Sequence, residues 1–174
     1  MKATGIVRRI DDLGRVVIPK EIRRTMRIRC GDPLEIFTEA GGDVIFKKYS
    51  PIGELTPFAA QYAEVLYKTI GTPVLITDRE HIIAVGGSAK KECLDNRISE
   101  ALENIIEKRR VCVGEDAKIK PCENAVKNAA VVVPIVAAGD AAGSVVLMDD
   151  TSALGECEVK LATVAAAFFA KQLE

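Results

Sequence analysis

Pro19 divides the stretch DDLGRVVIPKEIRRTMRIRCGD into two parts of opposite character. Before it stand Val16, Val17 and Ile18, which suit a pleated strand. After it come Lys20, Arg23, Arg24, Arg27 and Arg29 within ten residues. Proline has no amide hydrogen to give a sheet, yet fits the first turn of a helix, where that hydrogen would go unused. A strand must therefore stop at Pro19 and a cationic helix must begin. The flanking sequence completes a small unit. TGIVRRI reads as a first strand, with Ile6, Arg8 and Ile10 on one face and Val7 and Arg9 on the other. DDLG is a turn and RVVIP a second strand. KEIRRTMRI continues as a helix that sets Ile22 and Met26 on one side and Arg23, Arg24 and Arg27 around the rest. CGDP ends it. LEIFTEAGGDVIFKKY alternates on both sides of Gly41-Gly42 and reads as a β-hairpin.

A unit of about 48 residues buries too little surface to be comfortable alone. The five cysteines, Cys30, Cys93, Cys112, Cys122 and Cys157, are odd in number and contain no C-x-x-C pair. They suggest neither a disulfide framework nor a zinc site, and read as reduced thiols in apolar niches. With neither staple, oligomerisation is the remaining remedy, and the head is expected to be an obligate dimer with a shared core.

The net charge of −1 conceals an asymmetry. Residues 1–48 hold 11 Lys/Arg against 7 Asp/Glu, and residues 49–174 hold 13 against 18. A basic head on an acidic body points to a polyanion as partner for the head.

KYSPIGELTP marks a break in the chain. A helix is expected over 55–70, two strands in GTPVLITD and HIIAVGG, and a helix in SEALENIIEKRR capped by Ser99. Residues 111–128 give no clear pattern. AAVVVPIV and AGSVVLM read as strands around AAGDA, and LGECEVKLATVAAAFFAKQLE as a closing helix. This order is an α+β pattern, with helices flanking an antiparallel sheet. The expected domains are 1–50 and 57–174, joined by a linker at 51–56. No apolar run approaches the roughly 20 residues that span a bilayer, and MKATGIVRRI lacks a signal core, which together suggest a cytoplasmic protein with no membrane partner.

An enzyme would need parts that are hard to find here. His81 is the one histidine. G-x-S-x-G, H-E-x-x-H and P-loop patterns are missing. Gly86-Gly87-Ser88 reads as a bend and Asp149-Asp150 as a solvated turn. No catalytic residue, metal site or cofactor is assigned.

The cations of the head carry the stronger signal. Arg8 sits on the first strand, Arg15 at the turn into the second, and Arg23 with Arg24 on the helix. Guanidinium groups match phosphate oxygens, and cations fixed on a rigid scaffold suggest a shaped surface laid on a duplex. The run TGIVRRIDDLGRVVIPKEIRRTMRIRCGDPLEIF followed by VIFKKY resembles the DNA-binding domain of the AbrB-type transition-state regulators over residues 1–50. The resemblance implies a swapped-hairpin fold, in which two chains interlock, and a GAF-like α+β domain after it. It implies a regulator of sporulation-stage gene expression with double-stranded DNA as partner. The arginines that contact DNA in the family fall on Arg8, Arg15, Arg23 and Arg24, with Arg9 and Lys20 as helpers. Cys30 departs from the acidic or small polar residue more usual after the helix. The helix lacks a base-reading set of side chains, so readout through DNA shape is expected. A tetramer built by pairing second domains and an unidentified small-molecule effector are further expectations. The alternative reading is the antitoxin of a toxin–antitoxin pair with the same head. Such chains usually end in a short disordered acidic tail, whereas about 120 residues with dense apolar periodicity follow here.

Overall fold

The computed structural model describes residues 4–150 and 154–174. The chain forms two compact units, Met1–Tyr49 and Ser50–Glu174.

In the first unit, helix α1 (Lys20–Thr25) follows Pro19, as its missing amide hydrogen dictates. The helix is shorter than the periodicity suggests. Arg27 adopts a left-handed φ of 50°, Ile28 N–H donates to Arg23 O at 2.7 Å and Arg27 N–H to Arg24 O at 3.3 Å. This pair of bonds is a Schellman ending with arginine where glycine is usual. Strands β1 (Leu34–Thr38) and β2 (Val44–Lys48) form the expected hairpin, with Ile36 opposite Phe46.

Residues 4–10 and 15–19 were expected as strands, and here they join no sheet. A turn does close between them: Gly14 N–H donates to Asp11 O at 2.9 Å and Asp11 N–H to Arg15 O at 3.0 Å. The alternating apolar side chains of these arms lie open, with Val7 at 90%, Leu13 at 72% and Ile10 at 69% exposure. Pro19 alone in this region is buried. The period-2 pattern is present, but one chain supplies neither a ladder nor a cover for it.

The second unit is a five-stranded antiparallel sheet of order β4-β3-β7-β6-β5, made of β3 (Val74–Thr77), β4 (Ile82–Gly86), β5 (Cys112–Val113), β6 (Ala129–Ala137) and β7 (Asp140–Met148). Helices cover both faces, so the central strands read as almost continuous apolar runs rather than alternating ones. On one face α2 (Thr56–Ile70) and α5 (Glu156–Gln172) pack Ala59, Ala63, Ala162, Ala166 and Phe169 against Val74, Ile76, Val131 and Leu147. On the other, α3 (Lys90–Cys93) and α4 (Glu100–Lys108) set Cys93, Leu102, Ile105 and Ile106 against Leu75, Ile82, Val132 and Val146. Ser99 caps α4 as expected, its Oγ accepting from Leu102 N–H at 3.2 Å. The alanines let α2 approach the sheet closely. A Cβ on Gly86 would collide with the Ala63 carbonyl, so only glycine fits there.

Residues 51–56, expected as a linker, carry a 3-10 turn (Pro51–Leu55) and the first residue of α2. Ile52 is wholly buried in the core of the second unit. Residues 111–128, opaque to periodicity, hold β5 and a 3-10 turn at Gly114–Ala117 and are fastened by long-range bonds. Ser99 N–H donates to Pro121 O at 2.8 Å and Ala129 N–H to Ile119 O at 2.7 Å. Lys120 Nζ donates to the carbonyls of Ala125 and Val126, both at 2.6 Å.

Candidate nucleic-acid interface

The turn that sets the arms apart is built by Asp11. Its Oδ1 accepts from Leu13 N–H at 3.0 Å and from Arg15 N–H at 2.8 Å, and its Oδ2 accepts from Arg15 Nε at 2.9 Å. One carboxylate therefore folds the turn and aims the Arg15 side chain. The Arg15 amide, then its guanidinium and the Leu13 amide, hold the Asp11 carboxyl below the usual 3.8. Reading the arginines alone misses Asp11. The D-x-L-G spacing is the available signal, since aspartate readily bonds the amides two and more residues on.

Arg8 and Arg9 lie on the arm before this turn and Arg15 on the arm after it, all exposed. Lys20 and Arg24 stand exposed on α1. Among the described residues, Arg8, Arg9, Lys20 and Arg24 have no ion pair, so their charge meets only solvent. Arg23 differs. It is half-buried, and its Nε is the buried side-chain nitrogen without a hydrogen-bond partner among the described residues. A guanidinium N–H removed from water without an acceptor is costly, on the order of 1–3 kcal/mol. Cys30 is an exposed free thiol after the helix. Further along, Lys48 Nζ donates to Arg27 O at 2.5 Å, and Lys47 lies 4.7 Å from the Phe37 ring centroid. The end of the hairpin thus supports the helix terminus.

Among the described residues of the second unit, Pro73, Ser88, Glu92 and Lys127 help to line a small cleft of about 90 Å³. That is below the roughly 150 Å³ of a cavity that takes benzene. No group of three or more His, Cys, Asp or Glu suited to a metal ion occurs among the described residues. No helix among them is long and apolar enough to cross a membrane.

Comparison with known proteins assigns both units. Residues 54–174 match the family model "Stage V sporulation protein T C-terminal, transcription factor", and residues 7–53 match "Antidote-toxin recognition MazE, bacterial antitoxin". Stage V sporulation protein T of Bacillus subtilis strain 168 is 55% identical over 177 residues, covering 100% of this chain and 99% of the relative. Transition state regulatory protein AbrB of the same organism is 57% identical over 51 residues, covering 29% of this chain and 52% of that protein. The cofactor-binding GAF domain of the nutrient sensor CodY from Clostridium difficile aligns at a TM-score of 0.50 and 18% identity, covering 66% of this chain and 83% of that one. That last likeness defines a fold and nothing more.

An AbrB-type head followed by a GAF-like α/β module is the plan of a transcription regulator, not of an antitoxin with its short tail. The match over the whole chain narrows the class. The chain belongs to the stage V sporulation protein T family.

Proposed function

We propose that this protein regulates sporulation-stage transcription by binding double-stranded DNA with a dimeric head, and that its GAF-like unit serves assembly and effector sensing. The observation that carries the reading is the coincidence of open apolar arms with unpaired cations on one small unit. Ile6, Val7, Ile10, Leu13, Val16 and Val17 are all exposed in the single chain, and a second chain interleaved with them would cover them and complete the missing ladders. Arg23 Nε, an orphan donor in one chain, would gain an acceptor from that chain or from a phosphate. Arg8, Arg15, Arg23 and Arg24, each present twice in a dimer, form the proposed DNA-binding set, with Arg9 and Lys20 beside them. The head is proposed at 1–50, as expected, and the body, expected at 57–174, is extended back to take in Ile52 of its core and Thr56 of α2. With no catalytic set assigned and a family model described as a transcription factor over residues 54–174, the body is read as a non-enzymatic module. The cleft limits any effector held there to a small molecule of a few heavy atoms.

The test is the salt dependence of duplex binding. The slope of log affinity against log salt is about −0.9 per phosphate neutralised. Each Arg→Ala change alters two symmetric contacts and should flatten the slope by roughly 2. Arg8 and Arg15, placed by the Asp11 turn, should cost more on a specific site than on random duplex, whereas Arg23 and Arg24 should cost both alike. Arg27 and Arg29 serve as controls. A quadruple alanine variant that folds, dimerises and binds with an unchanged slope would overturn the assignment.

A further inference from the structure

The chain passes from one compact unit to the other with little length to spare. The head holds it as far as Tyr49, whose N–H donates to Pro33 O at 3.1 Å. Ser50 stands at the boundary, as the first residue of the second unit. Pro51 follows and disfavours helical backbone before it, so Ser50 is extended, at φ −119° and ψ 96°. A serine ahead of a helical turn commonly bends its oxygen back to cap the first amides. Ser50 makes no such cap on the 3-10 turn at Pro51–Leu55. Its Oγ reaches outward instead and donates to Asp78 Oδ2 at 3.0 Å.

Asp78 is built to hold that hydroxyl. It opens the turn between β3 and β4, where its Oδ1 accepts from Glu80 N–H and His81 N–H, both at 2.6 Å. Its own N–H donates to His81 O at 2.9 Å. Thr77, just before it, shares a hydrogen bond of 2.9 Å with Ser144 of β7, and both residues are wholly buried. β7 runs so close here that a Cβ on Gly143 would collide with the Thr77 carbonyl. One carboxylate oxygen thus folds a turn braced by the sheet, and the other takes the Ser50 hydroxyl. Two residues beyond Ser50, Ile52 is sunk in the core of the second unit. Between the Tyr49 amide, held in the head, and the Ser50 side chain, held in the body, lies one peptide unit, about 3.8 Å from Cα to Cα.

We propose that Ser50 and Asp78 are positioning residues for DNA binding, whose bond takes up the slack in the chain and makes an assembly with two heads selective for the spacing of its DNA sites. The inference rests on the reading of the head as a duplex-binding dimer and of the body as an assembly module. Neither residue touches DNA. Without the hydroxyl, Ile52 becomes the first firm hold of the body, and the loose chain grows from one peptide unit to three. Two linked heads gain affinity from one duplex only where their separation can match that of the sites, and slack spreads the match over many separations.

The experiment uses the full chain. A short duplex selected by the wild type from a random pool supplies the site. Longer duplexes carry two copies, with their spacing stepped one base pair at a time through a helical turn of about 10.5 base pairs. Wild-type affinity should vary across the series by about tenfold or more, and Ser50→Ala should cut that variation to below about threefold. Affinity for the single copy, sedimentation and melting temperature should stay close to wild type. Inserting Gly-Gly between Tyr49 and Ser50 keeps the bond but supplies slack, and should flatten the series in the same way. The inference fails if Ser50→Ala keeps the wild-type profile, or weakens the single-copy duplex as much as the double. It fails equally if the insertion changes nothing, or if the wild type has no spacing preference. In each of these cases the DNA-binding reading stands. A wild-type chain that selects no duplex at all would overturn that reading and this inference with it.

Discussion

Substituting Val65 and Val164 by alanine should take a tetramer apart while leaving each subunit folded. These side chains remain 60% and 62% exposed on the outer faces of α2 and α5, the two helices that share one side of the sheet. They extend an apolar stripe. Phe168 of α5 lies 5.5 Å from both Phe58 and Tyr62 of α2, and stacks on Tyr62 with an interplanar angle of 8°. Pairing this face with its copy about a two-fold axis would bury each valine twice. Val→Ala removes two methyl groups, worth about 1.6 kcal/mol at ~0.8 kcal/mol per carbon. With about three-fifths of each side chain still to be buried, the loss is about 1 kcal/mol per site. Separation into two head dimers parts two such pairings, so two sites on each of four faces give about 8 kcal/mol, or roughly a millionfold in dissociation constant. Sedimentation across nanomolar to micromolar concentrations would follow the tetramer–dimer equilibrium, since the heads would still hold dimers. Thermal unfolding should hardly change when both proteins are compared at a concentration too low for tetramers, because the sites face solvent within one subunit. A shift below about tenfold, or a wild-type chain that is dimeric at micromolar concentration, would refute the reasoning.

Two other outcomes follow from local geometry. The depressed Asp11 carboxyl contributes its bonds above the ordinary 3.8 and loses them as pH falls through its lowered folded value; carboxyl NMR should place its midpoint below 3.8, and Arg15→Ala should raise it, whereas an unmoved midpoint would deny the pairing. Ala138 occupies a left-handed φ of 47° in the two-residue β6–β7 turn beside Gly139, so Ala138→Asn should stabilise the second unit by about 0.5–1 kcal/mol, and a fall in melting temperature would contradict that turn type.

How far the sequence could be read differs between particular elements, for physical reasons. α2 and α4 are plain from their apolar spacing, α4 also from its Ser99 cap, and β3, β4, β6 and β7 from apolar runs that are buried on both faces. The loop around Lys120 is hidden because its shape comes from bonds to residues far along the chain. The helix end at Arg27 is missed because no glycine marks it. The arms at 4–10 and 15–19 teach a different lesson. Their alternation is evident, yet the ladders it implies are not formed within one chain, so a pattern can specify a structure that no single molecule completes. Among the proposed DNA contacts, the residue types are legible. The role of Asp11 in aiming Arg15 becomes visible only once the turn is built.

The open arms also bear on how this protein comes into being. During synthesis the basic head emerges first, with its apolar side chains uncovered and no mate at hand. The following 125 residues can fold as they leave the ribosome, since their core is closed within one chain. If the head is completed by a second chain, its maturation is bimolecular and lags at low expression, when encounters are rare. Association of the bodies would hold pairs of unfinished heads at the effective concentration of a short tether, commonly millimolar. The larger half of the chain would then act as the assembly jig for the smaller, and DNA-binding activity would rise more steeply than protein level as the cell accumulates it.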